Sequence, residues 1–304
     1  MNLRDFAYAV AVDEHRHFGR AAEACHVSQP TLSGQIRKLE AHLGVELFER
    51  TKRAVRPTPA GARILERART LLAEAGAIEA MAAAMTDPLS GPLNLGAIPT
   101  IAPYLMPRLL PSLAHALPSV ELRLTERFTG EIEAMLVDGG LDAAIIATEP
   151  EAPQLASVPL YDEPFWVALP KGHALAQEEE VDLGGLAGDR LLLLSEGHCL
   201  REQVLGFYAS GRGAPAEVRT EETSLTTILA LVGGGLGVTL VPAMSLSGPW
   251  VTDAGIVVRR ETSGAARRRV QLAYRKSFPR MALVEKLADV IAAIVPDTVA
   301  PYRR

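Results

Sequence analysis

Leu32, Ile36, Leu39 and Leu43 recur at steps of four, three and four residues, which lays one apolar stripe along a helix. Ser28 is a good N-cap for it, and Pro30 falls in the first turn, where a missing N–H costs nothing. The opposite face holds Pro30, Thr31, Gly34, Arg37 and Lys38, flanked by Gln29 and Ser33. Upstream, the Ala-rich stretch Arg20–Cys25 favours a second helix, and His26-Val27 breaks it. The polar N-terminal end of such a helix fits the major groove of duplex DNA, where amides and hydroxyls reach base edges. Gly34 removes bulk on that face and favours close approach. After Gly44, Arg50, Lys52, Arg53 and Arg56 place four cations in seven residues with no acid among them. A short two-stranded wing would lay these along phosphates, giving affinity rather than sequence choice. On spacing alone, a small helical domain with a solvated basic edge competes with the DNA-reading interpretation.

Thr58-Pro59 opens a new helix, and no breaker follows until Pro88, which allows about 28 residues or roughly 42 Å. Ile64, Ala68, Leu71, Ala75, Ile78, Ala82 and Met85 alternate steps of four and three, the seam of a coiled coil that is partly alanine. An ordinary amphipathic helix is the plainer alternative. Asp87–Pro92 reads as a hinge.

From Leu93 the pattern changes to short apolar runs between helical stretches. Leu93–Ala97, Val120–Thr125 and Leu141–Ala147 read as strands, with helices over 102–116 and 130–139. A second set follows at Trp166–Leu169, Arg190–Leu194, Glu217–Glu221 and Gly237–Val241, with helices near 200–210 and 224–233. Arg269–Tyr274 reads as a late strand and 280–294 as a closing helix. This punctuation predicts a largely parallel sheet in two α/β lobes with a cleft and hinge, like periplasmic binding proteins. Gly233–Gly237 follows a helix and opens a strand, the reverse of a dinucleotide fingerprint, so it reads as a helix C-cap.

Charge sharpens the division. Residues 1–69 carry twelve Lys/Arg against eight Asp/Glu, a net of +4, so the rest of the chain carries −9 of a total of −5. A basic head on an acidic body suits a protein that presents one end to DNA. The 304 residues suggest two or three domains. Two cysteines, Cys25 and Cys199, are too few for a disulfide-built secreted fold. The first residues lack a signal-peptide layout, and the longest near-apolar run, Ile228–Met244, is short of a membrane span, so a cytoplasmic location is expected. His15, His17, Cys25 and His26 match no common zinc spacing, and neither metal nor cofactor is expected.

The block His17–Arg56, with its AAEACHVSQPTLSGQIRKLE core, resembles the LysR-type transcriptional regulators. The resemblance implies a multidomain α+β and α/β chain. Its parts would be an N-terminal winged helix-turn-helix over 1–58, a long linker and dimerisation helix over 59–87, and a two-lobed regulatory domain over 88–304. Lobe I would span about 92–161 and 268–304, and lobe II about 162–267. It implies that Gln29, Pro30, Thr31, Ser33 and Arg50 face DNA. With the helix face and wing above, the candidate DNA-binding set is Ser28, Gln29, Pro30, Thr31, Ser33, Arg37, Lys38, Arg50, Lys52 and Arg53. It further implies a homodimer or a tetramer built from two dimers on a palindrome-like site in double-stranded DNA, with RNA polymerase as a further partner and activation as the output.

Within Leu191–Tyr208, LLLLSEGHCLREQVLGFY, Cys199 follows a strand and a Gly turn and stands at a helix start. A helix N-terminus favours a thiolate, and a thiolate attacks an O–O bond to become sulfenic acid. His198 and Arg201 add donors, while Glu196 opposes them. On spacing alone, a lone Cys beside Leu200 equally suits a small buried hydrophobe. An enzyme with Cys199 as nucleophile and His198 as base fits poorly, because no acidic orienter is evident. GHCLREQVLGF is similar to the segment carrying the reactive cysteine in the peroxide-sensing branch of the family, and MNLRDFAYAVAVDEHRHF and SGPLNLGAIPTIAPYLMP extend that likeness. The likeness implies that hydrogen peroxide reacts at Cys199 and that Thr100, Thr129, His198, Gln203 and Arg268 surround it. Each has a plainer alternative: Thr100 as a helix cap, for instance, or Arg268 as part of a solvated Arg267–Arg269 run. The branch's second, disulfide-forming cysteine falls at Tyr208 here. Three readings stay open: a one-cysteine sensor acting through sulfenic acid or a mixed disulfide, a switch blocked by an engineered Tyr208, or a cleft that answers to a small metabolite instead.

Overall fold

The computed structural model describes residues 1–50, 55–210, 216–219, 224–247 and 255–301. The chain divides into two compact units, Met1–Ala82 with Val137–Gly140, and Ala83–Leu136 with Leu141–Arg304.

In the first unit, α1 (Leu3–His15) is closed by a reciprocal cap in which Asn2 and Asp5 each accept the other's backbone N–H. Helix α2 (Phe18–Ala24) is capped by the His17 ring, whose Nδ1 accepts from the N–H groups of Gly19 and Arg20. Helix α3 (Gln29–Leu43) starts at Ser28 and stops at Gly44, whose φ of 71° ends it in the left-handed region. Its stripe turns inward as the periodicity predicts: Leu32, Ile36 and Leu39 join Val12, Ala21 and Phe48 in one core. Strands β1 (Phe48–Arg50) and β2 (Val55–Pro57) pair antiparallel as the wing. The Glu40 carboxylate ties the wing to α3 by accepting from the N–H groups of Leu47 and Phe48.

Helix α4 (Pro59–Thr86) runs 28 residues. Thr58 starts it by accepting from the Gly61 N–H. A side chain at Gly61 would meet the Leu47 carbonyl oxygen at 2.0 Å, so only glycine lets this crossing close. Leu65 and Ala68 bury in the first core, whereas Leu71 and Ile78 on the seam are 44% and 69% exposed. The side chain of Met85 lies outside the described residues.

The second unit is organised around one long strand. Strands β3 (Gly91–Ala97), β4 (Val120–Glu126) and β5 (Ala143–Ile146) are parallel, with α5 (Ala102–Ala116) and α6 (Thr129–Val137) as their crossovers. Strand β6 (Leu155–Pro170) spans 16 residues. Its first half pairs antiparallel with β12 (Arg267–Arg275), which also pairs with β5. Its second half pairs antiparallel with β10 (Thr239–Pro242) and β11 (Ile256–Glu261). The short β7 (Glu180–Val181) lies parallel to β11, and β8 (Arg190–Leu193) lies parallel to β9 (Ala216–Arg219). Helices α7 (Cys199–Ser210) and α8 (Leu225–Gly233) lie between these strands in sequence. Helix α9 (Met281–Ile294) packs on α5, and β13 (Ala300–Pro301) pairs with β6.

The sheet is therefore mixed, with an antiparallel centre, and not largely parallel as the strand–helix alternation suggests. Pro159 and Pro164 break the strand pattern in the sequence of the first part of β6, so only Trp166–Leu169 reads as a strand from sequence. The expected strand Glu217–Glu221 extends past β9 into residues outside the described set. The glycine run does end α8. Gly237 then admits a close approach: a side chain there would sit 2.3 Å from the Arg190 carbonyl oxygen.

Candidate functional site

At the start of α3, Ser28, Gln29, Pro30, Thr31, Arg37 and Lys38 are exposed and Ser33 is half-buried. The Ser28 hydroxyl accepts from the Thr31 N–H at 3.3 Å and shares a 2.8 Å hydrogen bond with the Thr31 hydroxyl, so this pair also builds the helix end. Arg37 donates to the Ser33 hydroxyl at 3.3 Å. Arg50 ends β1, and Lys52 and Arg53 lie outside the described residues.

In the second unit, β8 leads through Gly197, at φ 95°, into Cys199 at the first position of α7. A side chain at Gly197 would press on the Phe128 ring at 3.3 Å. Arg201 closes the turn by donating to the Leu194 carbonyl at 3.1 Å. Cys199 is free and half-buried. It opens on a cavity of about 550 Å³ whose wall includes Thr129, Gly130 and Glu133 of α6, with Thr148, Glu151, His198, Glu202 and Gln203. The His198 ring meets Phe128 edge to face at 4.6 Å, and burial lowers its pKa, so the imidazole is uncharged at neutral pH. The Gln203 amide nitrogen donates to the Ala147 carbonyl at 2.8 Å. Its Oε1 and the Thr129 hydroxyl are buried without a hydrogen-bond partner among the described residues.

Thr100 and Arg268 form a second, buried cluster. Arg268 Nη1 donates to the Thr100 hydroxyl at 3.0 Å and Nη2 to the Thr100 carbonyl at 3.2 Å. Its Nε donates to Glu163 at 2.8 Å, and Glu163, fully buried, also accepts from the Met244 N–H at 2.6 Å. The Phe165 ring lies 5.8 Å from the guanidinium carbon. Burial alone would lower the Arg268 pKa, but Glu163, then Cys199 and Tyr161 in their ionised forms, outweigh it and hold the cation. Three of the five guanidinium N–H groups are thus used among the described residues.

Of the six residues singled out around the thiol, Cys199, Thr129, His198 and Gln203 share the cavity wall, while Thr100 and Arg268 stand in the buried cluster, whose arginine feels the charge of Cys199. Thr100 is no helix cap, since the N-cap position of α5 is Ile101 and no side chain caps it. The basic run is not uniformly solvated either: Arg267 and Arg269 point out and Arg268 points in, as strand alternation requires. Glu163, Phe165, Glu133 and Glu151 were not foreseen. No local pattern marks them: Glu163 gains its role by meeting Arg268 across the sheet, and Glu133 and Glu151 theirs by the packing of α6 against the loop at 151–152. Tyr208 is buried, its hydroxyl lacks a partner among the described residues, and burial, then Asp189, pushes its pKa well up. Cys25 caps α2 and is only half-buried against the core, and burial, then Glu14, raises its pKa.

The family model for the "LysR substrate binding domain" matches residues 86–295, and that for "Bacterial regulatory helix-turn-helix protein, lysR family" matches residues 3–62. The chain belongs to the LysR family of bacterial regulatory proteins, which are not enzymes. Within that family it is similar to the OxyR group. It is 45% identical over 291 residues to the hydrogen peroxide-inducible genes activator of Pectobacterium carotovorum, covering 96% of each chain. It is 44% identical to the DNA-binding transcriptional dual regulator OxyR of Escherichia coli, covering 96% of this chain and 95% of that one. Among solved structures, a full-length Cys-to-Asp variant of OxyR from Pseudomonas aeruginosa matches with a TM-score of 0.80 at 40% identity, over 100% of this chain and 98% of that one. A peroxide-bound Cys-to-Ser variant of Corynebacterium glutamicum OxyR matches with a TM-score of 0.65 at 36% identity, over 95% and 91%.

Proposed function

We propose that this chain is a transcriptional regulator that reads duplex DNA with the N-terminal end of α3 and senses hydrogen peroxide by oxidation of Cys199, without an intramolecular disulfide. The observation that carries the sensing is the placing of Cys199 at the start of α7, on a cavity shared with Thr129, His198 and Gln203. Relatives named for induction by hydrogen peroxide, and a solved relative that holds it, support the choice of effector. The thiolate sulfur attacks one peroxide oxygen, the O–O bond breaks, and the departing hydroxide takes a proton to leave as water. Sulfur is oxidised by two electrons to sulfenic acid and peroxide is reduced. The Thr129 hydroxyl and the neutral His198 ring would donate to the leaving oxygen. Gln203 Oε1, left unpaired by the protein, would accept a peroxide O–H. Arg268, fixed by Glu163, would supply preorganised positive charge behind the sulfur.

Tyr208 stands where the branch's second thiol is expected, and the other cysteine of the chain, Cys25, lies in the DNA-reading unit, so this reading routes the signal through Cys199 alone. Oxidation adds a polar group at the head of α7. A shift of 199–210 would then alter how regulatory units pair and how the DNA-reading heads are spaced along a palindrome-like site. Paired α4 helices, with Leu71 and Ile78 exposed on the seam, suit a homodimer-based assembly. The division into a head over 1–58, a linker over 59–87 and a two-lobed body over 88–304 belongs to this reading, as do the contacts of Ser28–Lys38 and Arg50–Arg53 with DNA and engagement of RNA polymerase.

The cavity volume favours a second reading, in which a small metabolite fills the same space. Mass analysis of the Cys199 peptide after a dilute peroxide pulse separates the two. The sensor reading expects a gain of one oxygen atom, or a mixed disulfide when a small thiol is present, together with a changed DNA footprint, and Cys199→Ser abolishes both. An unmodified Cys199, or a footprint that responds equally in Cys199→Ser, removes the sensor.

A further inference from the structure

Taking Cys199 as the oxidised sulfur, we propose that Phe128 is a positioning residue for its reaction with peroxide: the Phe128 ring seats the His198 imidazole at the cavity and keeps it dry. The ring reaches two neighbours at the head of α7. It meets the His198 imidazole edge to face, with centroids 4.6 Å apart and planes at 72°. It also lies 3.3 to 3.6 Å from where a side chain at Gly197 would begin, so the bare glycine lets it close on the turn. Among the described residues no hydrogen bond reaches either nitrogen of the His198 ring, so the aromatic contact is what orients it. The position argues for the same role. The Phe128 carbonyl accepts the first helical bond of α6, from the Ile132 N–H at 2.9 Å, which makes Phe128 the N-cap residue. Ser, Thr, Asp or Asn suits that place, because a side-chain oxygen there accepts an orphan N–H, and a phenyl ring offers none. Glu131 makes one half of a capping box by accepting the Phe128 N–H at 3.2 Å, and the other half has no acceptor. A ring that is 36% exposed and forgoes its helix cap breaks a local rule, as residues at working sites do.

The charges around His198 do not account for its neutrality. The carboxylates of the neighbourhood, Glu196 and Glu202 in its own segment, Glu131 and Glu133 on α6 and Glu151 in the cavity wall, would raise its pKa, as would the Cys199 thiolate. The cations Arg201 and Arg127 are turned onto the Leu194 carbonyl and Glu131. Burial is what lowers it, and Phe128 is the ring packed on the imidazole. Arg268, behind the sulfur, is anchored on Glu163 and Thr100, so a change at 128 leaves that cation in place. Thr129, next in the chain, lines the cavity with His198, so one ring aligns both donors to the leaving oxygen.

The test uses the reduced full-length protein with Phe128→Ala, Phe128→Leu and Phe128→Tyr. The His198 protonation midpoint is read from exchange of its imidazole Cε1 hydrogen in D2O across pH, by mass spectrometry of the peptide that holds it. The rate of Cys199 oxidation is read from sulfenic acid trapped with dimedone on the same peptide, at about pH 8, where imidazoles are uncharged in every variant. In Phe128→Ala the midpoint moves up towards the ordinary imidazole value and oxidation slows about tenfold. In Phe128→Leu the midpoint stays low, because the imidazole is still covered, and oxidation slows less. Phe128→Tyr restores both. Exchange at His173, held by Asp189 elsewhere in the same unit, stays constant and separates these effects from general loosening. A midpoint that does not move in Phe128→Ala, a parent-like oxidation rate there, or a tyrosine variant as slow as the alanine one overturns the proposal. If peroxide leaves Cys199 of the parent protein unmodified, the sensor reading falls and the role of Phe128 in that reaction with it. If the parent is oxidised and Phe128→Ala keeps pace, the sensor reading stands and Phe128 alone is dismissed.

Discussion

Between Ser28 and Lys38 the candidate DNA contacts follow one another along a single helix end, exposed or half-buried, above a core that they do not enter. Around Cys199 the candidates come from positions as far apart as Thr100, Glu163, Gln203 and Arg268, and three of these four are buried. In the head, function is laid on top of a finished fold. In the body, the same groups that serve the chemistry also hold the strands together. Substitutions in the two places should therefore behave differently, and that difference can be measured.

The largest effect belongs to the body. Arg268→Ala removes the partner of a fully buried Glu163 and leaves the carboxylate with the Met244 N–H. Breaking a buried pair on one side costs about 3–5 kcal/mol. Urea unfolding followed by tryptophan fluorescence reads it, since Trp166 falls in the second unit. A loss under about 1 kcal/mol would mean that this pair is not structural, and the contrast with the head would collapse. In the head, Gln29→Ala should leave the melting temperature unchanged and cost about 1–3 kcal/mol of discrimination against altered operators. Fluorescence anisotropy with operator variants decides it, and equal loss on every sequence would reassign Gln29 to phosphate contact. The smallest and sharpest case is Gly34→Ala. Nothing lies within 4 Å of a side chain there, so the helix should gain roughly 0.5–1 kcal/mol. If this face enters the groove, DNA affinity falls while stability rises. Affinity rising with stability would move the groove face elsewhere.

The same contrast explains what could be read in advance. The α3 stripe and its Ser28 cap are local signals, each within a few residues of what it fixes, so α2, α3 and the wing were legible, whereas α1 gave no such reading. The 28-residue length of α4 followed from a Pro at each end in the same way. The body was legible element by element but not in its pairing. Strands β3, β4 and β5 stand close to where the apolar runs put them, yet β11 carries two arginines in IVVRRE and gave no apolar run. The antiparallel centre depends on which strands meet β6, and hydrophobic patterning does not encode partner choice. At the thiol, Cys199 and His198 were visible as neighbours in sequence, and Thr129, Gln203 and Arg268 through the family likeness. Glu163 was invisible because its meaning arises only when Arg268, 105 positions later, turns inward beside it.

Strand β6 runs unbroken from Leu155 to Pro170, with Glu163 close to its midpoint. Its two ends serve different neighbours, so the body has no seam at which it could be cut into self-sufficient pieces. A fragment beginning at residue 165 would leave the β6-facing edge of β12 bare over Arg267–Arg275 and the buried Arg268 without its counter-charge. Shuffling of this body between relatives by recombination should tolerate crossovers in surface turns and reject them along this one beam.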